Sequence, residues 1–272
     1  MNSPIQLLRE SFSHSIKKPA LIMGLIYFGL AIVIALGATV VGALIFIFGA
    51  ALLGVLNNFY VTILGLIVGA LVGLLALLFL QAGINILGFK GFSQVINTGN
   101  YDFDEIIYTI RKRIVPSIIV IIITSIIFLL VLAILGITLF LLLQELGLAI
   151  ALVLYLIFVF FVGPLFLVAT PLVALDNIGG FEAIVKAVSI GRKNYLFNLA
   201  NIGLIAVLTF ILTLLALIPT VILTFLALIP IIGLVFLALF TIIGFIISFY
   251  LTILYTIFIV KIYEENKARS IG

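Results

Sequence analysis

The sequence has no cysteine, a single histidine, and charge on only 8% of its residues. Without Cys there is no thiol nucleophile, no Cys-ligated zinc or iron–sulfur cluster, and no disulfide framework. One imidazole cannot make a His-pair metal site, and His14 falls on the polar side of a short amphipathic segment, where it reads as solvent-facing. The scarcity of charge excludes most. A soluble domain carries about a quarter charged residues, and 13 basic and 9 acidic groups on 272 residues cannot clothe a water-facing surface. Polar tracts and Gly-x-y periodicity are also absent, which excludes a disordered or collagen-like chain. What is there is apolar: 66% of residues, with a mean hydropathy of +1.57. The surplus must face lipid.

Charge-free runs delimit the spans, because an ionised side chain at mid-bilayer costs roughly 2.5–3.5 kcal/mol. They are Ala20 to Leu56, Val61 to Phe89, Ile114 to Leu143, Leu146 to Leu175 and Asn194 to Val260. Each exceeds the roughly 20 residues that cross a bilayer core. The third and fourth flank Gln144 and Glu145 and form a tight helical hairpin with its turn near Gly147. If the last run is split around Pro219 and Pro230, the chain crosses six times, every Lys and Arg falls on one side, and Glu145 alone is charged on the other. Counting the first run twice would put Lys17 and Lys18 opposite Lys90 and destroy that segregation. The expectation is therefore an all-α, polytopic bundle of six transmembrane helices in the cell membrane, with both termini cytoplasmic. The first run is too long for a signal-peptide core and reads as a retained anchor. Its surplus is expected as tilt, loosening around Gly49 and Gly54 before Asn57 and Asn58. The apolar linker 219–230 is a candidate for re-entry into the membrane.

A short amphipathic segment precedes each pair of spans. The first opens with a capping box, Ser3 and Gln6 with Pro4 at the first helical position, and aligns Ile5, Leu8, Phe12 and Ile16 before Lys17 and Lys18. The second aligns Phe103, Ile106, Ile107, Ile110 and Ile114 between the acids Asp102, Asp104 and Glu105 and the bases Arg111, Lys112 and Arg113, a polarity that suits the helix macrodipole. The third aligns Phe181, Ile184, Val185 and Val188, pairs Glu182 with Lys186, and ends at Arg192 and Lys193. One membrane domain thus reads as three units of interfacial helix plus helical hairpin: 3–89, 101–175 and 180–262. Lys17, Lys18, Arg111, Lys112, Arg113, Arg192 and Lys193 are the candidate headgroup-binding cations. The alternative is that these helices fold against the bundle and their cations only set topology.

Within the spans the informative groups are neutral. Thr241, Ser248, Thr252 and Thr256 share one helical face, Asn198, Asn201, Thr209 and Thr213 share another, and Gln81 with Asn85 makes a smaller pair. Two such faces on adjacent antiparallel helices could line a path for an uncharged solute; interhelical bonding and back-bonding to carbonyls is the other reading. Gly65, Gly69 and Gly73 form a small-xxx-small seam for close packing, within one subunit or between copies. Pro164 and Pro171 kink the fourth span, as a hinge or as a static bend.

The stretch Pro171-Leu-Val-Ala-Leu-Asp176-Asn-Ile-Gly179-Gly-Phe-Glu182-Ala183, with Lys186 and Ser189, resembles the signature of the six-span membrane domain found beside glycerophosphodiester phosphodiesterases and in related free-standing prokaryotic membrane proteins. The tract from Gln81 through Gly88, Gly91 and Phe103 to Pro116 is similar in layout. The resemblance implies an all-helical membrane domain. It implies no hydrolase activity, because that domain is not the catalytic part of those enzymes.

Nothing else in the chain suggests catalysis or a cofactor. Asp176 and Glu182, the one carboxylate pair near a membrane boundary, fit capping of the third amphipathic helix. No acid or base interrupts the spans to serve proteolysis or a proton relay. The cations form no stripe with interleaved aromatics, which argues against nucleic acid, and no phosphate-cradling Gly loop is present. Two non-catalytic functions follow. One is a pore or permease-like protein that accommodates a small neutral or lipidic molecule. The other is a structural, lipid-organising protein whose basic interfacial helices bind anionic headgroups. Membrane lipids are the expected partners, with homo-oligomers open.

Overall fold

A computed structural model of the chain describes the backbone of residues 2–33, 37, 59–226 and 230–271, and the side chains of 2–33, 37, 73–211 and 244–270. Its elements are all α-helices: α1 (Pro4–Ser15), α2 (Lys18–Val33), α3 (Phe59–Thr98), α4 (Phe103–Leu143), α5 (Glu145–Phe166), α6 (Ala169–Leu175), α7 (Gly180–Lys193), α8 (Tyr195–Leu226) and α9 (Pro230–Ile271). Four stretches are long and apolar enough to cross a membrane alone, Gly73–Thr98, Phe103–Leu143, Glu145–Leu175 and Gly244–Ser270. The number reaches six if α1 with α2, and α7 with the first part of α8, each count as one bent span. The expected loosening at Gly49 to Asn58 lies outside the described residues. Helix α8 continues through Pro219 to Leu226 and α9 starts at Pro230, so of the proposed linker only 227–229 lie outside the description.

The boundaries follow local chemistry. Ser3 caps α1 and closes the capping box with Gln6, with Pro4 opening the helix. Asp102 caps α4 by accepting from the backbone N–H groups of Asp104 and Glu105 at 3.0 and 3.2 Å. The α4–α5 reversal turns on Gln144 at φ 53°, and Gly147 is needed there because a Cβ would collide with the Leu139 carbonyl. At the two prolines of the fourth span the chain breaks between α5 and α6, at Leu167 and Val168.

The amphipathic segments behave in two ways. Helices α1 and α7 meet the helices that follow them at 87° and 96°. The second segment, by contrast, runs straight into its span as one 41-residue helix, α4, with Pro116 inside. Helix α4 runs on through Arg113 and Ile114 even though Pro116 cannot donate to the carbonyl of Lys112.

The core sits at one end of the bundle. Ala20 and Met23 of α2 pack with Leu87, Phe92 and Val95 of α3, Ile106 of α4, and Ile253, Ile257 and Val260 of α9. Val120 of α4, Val168, Ala169, Leu172 and Val173, Ala183, Ile184 and Ala187 of α7, and Tyr263 form a second cluster. Leu7 of α1 joins Phe197, Phe258 and Ile262 in a third. Close approach in the first depends on Gly88 and Gly91, whose added Cβ atoms would lie 2.7 Å from the Tyr27 ring and 2.8 Å from the Met23 sulfur. Farther along the helices burial collapses. Only 11% of the most apolar windows of α4 and of α5 with α6 is buried.

Candidate functional site

The same end, here called the base, gathers the charge. Lys90 pairs with Glu105 at 2.8 Å, Lys261 with Glu10 at 3.1 Å, Lys267 with Asp176 at 2.8 Å, and Arg269 with Glu265 at 3.1 Å. The chain ends meet there too: the Asn2 N–H donates to Glu265 and Arg269 donates to the Asn2 carbonyl. The Arg269 guanidinium also stands 3.9 Å from the centre of the Phe197 ring. From Ile253 in the core to Arg269 is about 24 Å of helix, so the base is a layer of substantial depth.

One corner of the base is the Asp176–Gly180 loop. Burial works to raise the Asp176 carboxyl, but the Lys267 ammonium, the nearby Tyr263 hydroxyl and the charge of Lys186 outweigh it and hold the group below its ordinary value. Asn177 takes φ 58°, and its side-chain oxygen accepts from Arg113 Nε at 2.8 Å. Gly180 lies against the Pro116 carbonyl, where a Cβ has no room. The sequence assigned Asp176 and Glu182 to helix capping; Glu182 stands in the first turn of α7, but the cap is Gly179, which makes no side-chain bond. Asp176 instead ties the loop to α9.

The neutral polar residues fall into separate sets. Asn198 is fully buried, donates to the Pro164 carbonyl at 3.2 Å and accepts from Asn266 at 2.7 Å. Asn201 donates to Phe197 one turn back. On α9, Thr252 donates to the Ser248 carbonyl and Thr256 to that of Thr252, each at 2.8 Å. Thr256 closes against Gly88 beside Tyr27, on the α2–α3 side, while Asn266 faces α8. Thr209 and Ser248 are on exposed surface. Gln81 donates to Asn85 within α3 at 3.2 Å. The side chains of Thr213 and Thr241 and the surroundings of Gly65 and Gly69, both within α3, lie outside the description; Gly73 is half-buried. Asn266, which links α9 to Asn198, was missed by sequence reading because it stands among charged residues and not in an apolar run.

The seven candidate headgroup cations share one property. Among the described residues none is within ion-pair distance of a carboxylate. Lys17 contacts His14 Nδ1 at 3.4 Å, Lys112 lies 5.7 Å over the Tyr108 ring, and Arg113 holds Asn177. Lys18, Arg111, Arg192 and Lys193 are exposed. The base thus pairs Lys90, Lys261, Lys267 and Arg269 internally and leaves outward the cations at the two bends and at the entry of α4.

The helices leading into the bends are turned in an unusual sense. A helix on a soluble surface buries its large apolar side chains. Helix α1 buries Leu7, Ser11 and Ser15 and exposes Ile5 (73%), Phe12 (53%) and Ile16 (56%), with Arg9 in the same stripe. The buried hydroxyls are satisfied, Ser11 by the Leu7 carbonyl and Ser15 by Tyr250. Helix α7 buries Gly180, Ala183, Ile184, Ala187 and Gly191 and exposes Phe181 (69%) and Val185 (59%). Two stripe members expected on the outer face, Leu8 and Ile184, are instead turned toward the protein.

Compared with known proteins, the chain matches no family model, no curated protein and no solved structure.

Proposed function

We propose that this chain is a non-catalytic integral membrane protein of six spans, with both termini cytoplasmic, whose base gathers anionic lipid headgroups along α1, α7 and the entry of α4. One observation carries the reading. Two amphipathic helices join their spans at near right angles, put mostly small or polar residues with Leu7 and Ile184 against the protein, and present other large apolar side chains outward beside cations that no carboxylate neutralises. Acyl chains suit that stripe and phosphates suit those cations, the combination that holds an amphipathic helix at a bilayer surface. The solute-path reading draws less support, because the described threonines of α9 spend their hydroxyls on their own helix and Asn198 spends its amide on α5 and α9. The resemblance to the phosphodiesterase-associated membrane domain agrees with a non-catalytic role, and the loop that carries it is a structural corner of the base.

The test is lipid retention. Wild type and the K17Q/K18Q/R192Q/K193Q variant are purified in mild detergent, and bound lipids are counted by native mass spectrometry. The variant is expected to lose anionic lipid several-fold while keeping zwitterionic lipid. Equal retention of anionic lipid would overturn the proposal.

A further inference from the structure

The two bends differ in one respect. The α7–α8 bend carries Arg192 and Lys193 and no imidazole. The α1–α2 bend carries Lys17 and Lys18 and, one turn before Lys17, the only histidine of the chain. Lys17 Nζ lies 3.4 Å from His14 Nδ1. An ammonium can only donate, so a hydrogen bond here requires Nδ1 as the acceptor, that is, the neutral ring.

The charged groups that act on His14 are Glu10 of α1, Lys17 just beyond its end, and Lys261 of α9, which pairs with Glu10 at 3.1 Å. Glu10 is therefore already committed, and the balance at the bend is positive. Burial first, then the charges of Lys17 and Lys261, push the imidazole below its ordinary value near 6.5, with Glu10 opposing. In the absence of an anion the ring is uncharged at neutral pH. An anion placed between Lys17 and Lys18 reverses the electrostatics: it draws the Lys17 ammonium off Nδ1 and favours a proton there.

We infer that the α1–α2 bend is a lipid-phosphate site in which Lys17, Lys18 and protonated His14 together hold one headgroup phosphodiester, so that this bend, unlike that at Arg192 and Lys193, tightens as the pH falls. The inference rests on the headgroup reading above and deepens it at one of its two bends. The sign is fixed by linkage. If the bound phosphate raises the pKa of His14, proton uptake accompanies lipid binding and acid strengthens it.

Because the chain has one His, its imidazole can be titrated by nitrogen-15 NMR without assignment ambiguity. The full chain is placed in nanodiscs of phosphatidylcholine alone or with phosphatidylglycerol, and the same pair is run for K17Q/K18Q. The expected result is a His14 pKa higher by about one unit or more in the anionic discs, a rise largely lost in K17Q/K18Q. No rise overturns the site. An equal rise in K17Q/K18Q also overturns it, because it would report the general surface potential. A third arm adds inorganic phosphate to the phosphatidylcholine discs; the same rise there would assign the site to free phosphate and overturn the lipid. The retention experiment stands apart, since lost lipid in the four-residue variant with an unresponsive His14 refutes this inference alone.

Discussion

At the scale of single residues, the base depends on polar groups that are buried and shared. Asn266 is 1% exposed and donates to both Asn198 and the Ile262 carbonyl. Removing one partner of a buried hydrogen bond leaves the other desolvated and unpaired, at about 1–3 kcal/mol. Asn266→Ala is therefore expected to lower unfolding stability in detergent by about that amount. Asn198→Ala together with Asn266→Ala should cost less than the two single changes summed, because the unpaired amide is gone. Additive costs would show that the two amides do not work as a pair. The lysine and arginine residues divide by the same accounting. Those on the last turns of α3 and on α9 have carboxylates within reach, and those at the bends have none.

At the scale of elements, the inner and outer faces of α7 should respond in opposite ways. A Cβ on Gly191 would stand 2.7 Å from the Leu165 Cα, which is backbone and cannot swing aside. Gly191→Ala is expected to cost about 1–3 kcal/mol in the same unfolding measurement. Phe181→Gln, on the exposed stripe, should stay within about 0.5 kcal/mol. A large loss from Phe181→Gln would mean that protein covers the stripe. Much of this was legible beforehand. The capping box of α1 and the acids that open the second segment are local signals, and α1 and α4 begin where those signals put them, whereas α7 begins after Gly179 without the Asp176 cap assigned to it. The fate of the second segment was not legible. All three have similar helical stripes, and whether a stripe bends away from its span or runs into it depends on what packs beside it. Leu8 and Ile184 were misplaced for a related reason, since a hydrophobic stripe shows which residues avoid water and not whether lipid or protein receives them.

At the scale of the molecule, that ambiguity explains the excess length of the charge-free runs. The first run has more residues than one upright span needs. Ala20 and Met23 at its start are not lipid-facing but buried against α3 and α9, and Gly88, one residue before the end of its run, and Val260, at the end of its own, lie inside the same packed base. A run free of charge therefore measures distance from water, to which a protein core contributes as fully as a bilayer. Among the described residues, a tightly packed, charged end gives way to apolar lengths of α4 and α5 with little burial. The account places the outer stripes of α1 and α7 in acyl chains at the surface of that end. Because the chain lacks cysteine, a nitroxide can be placed at Phe12→Cys or Val185→Cys without background, and its collisions with apolar oxygen and with a polar nickel chelate compared in nanodiscs. The account predicts high oxygen and low nickel accessibility at both positions, with Asn100→Cys, at the α3–α4 turn, showing the reverse. Nickel accessibility at Phe12 and Val185 equal to that at Asn100 would place both stripes in water and contradict it.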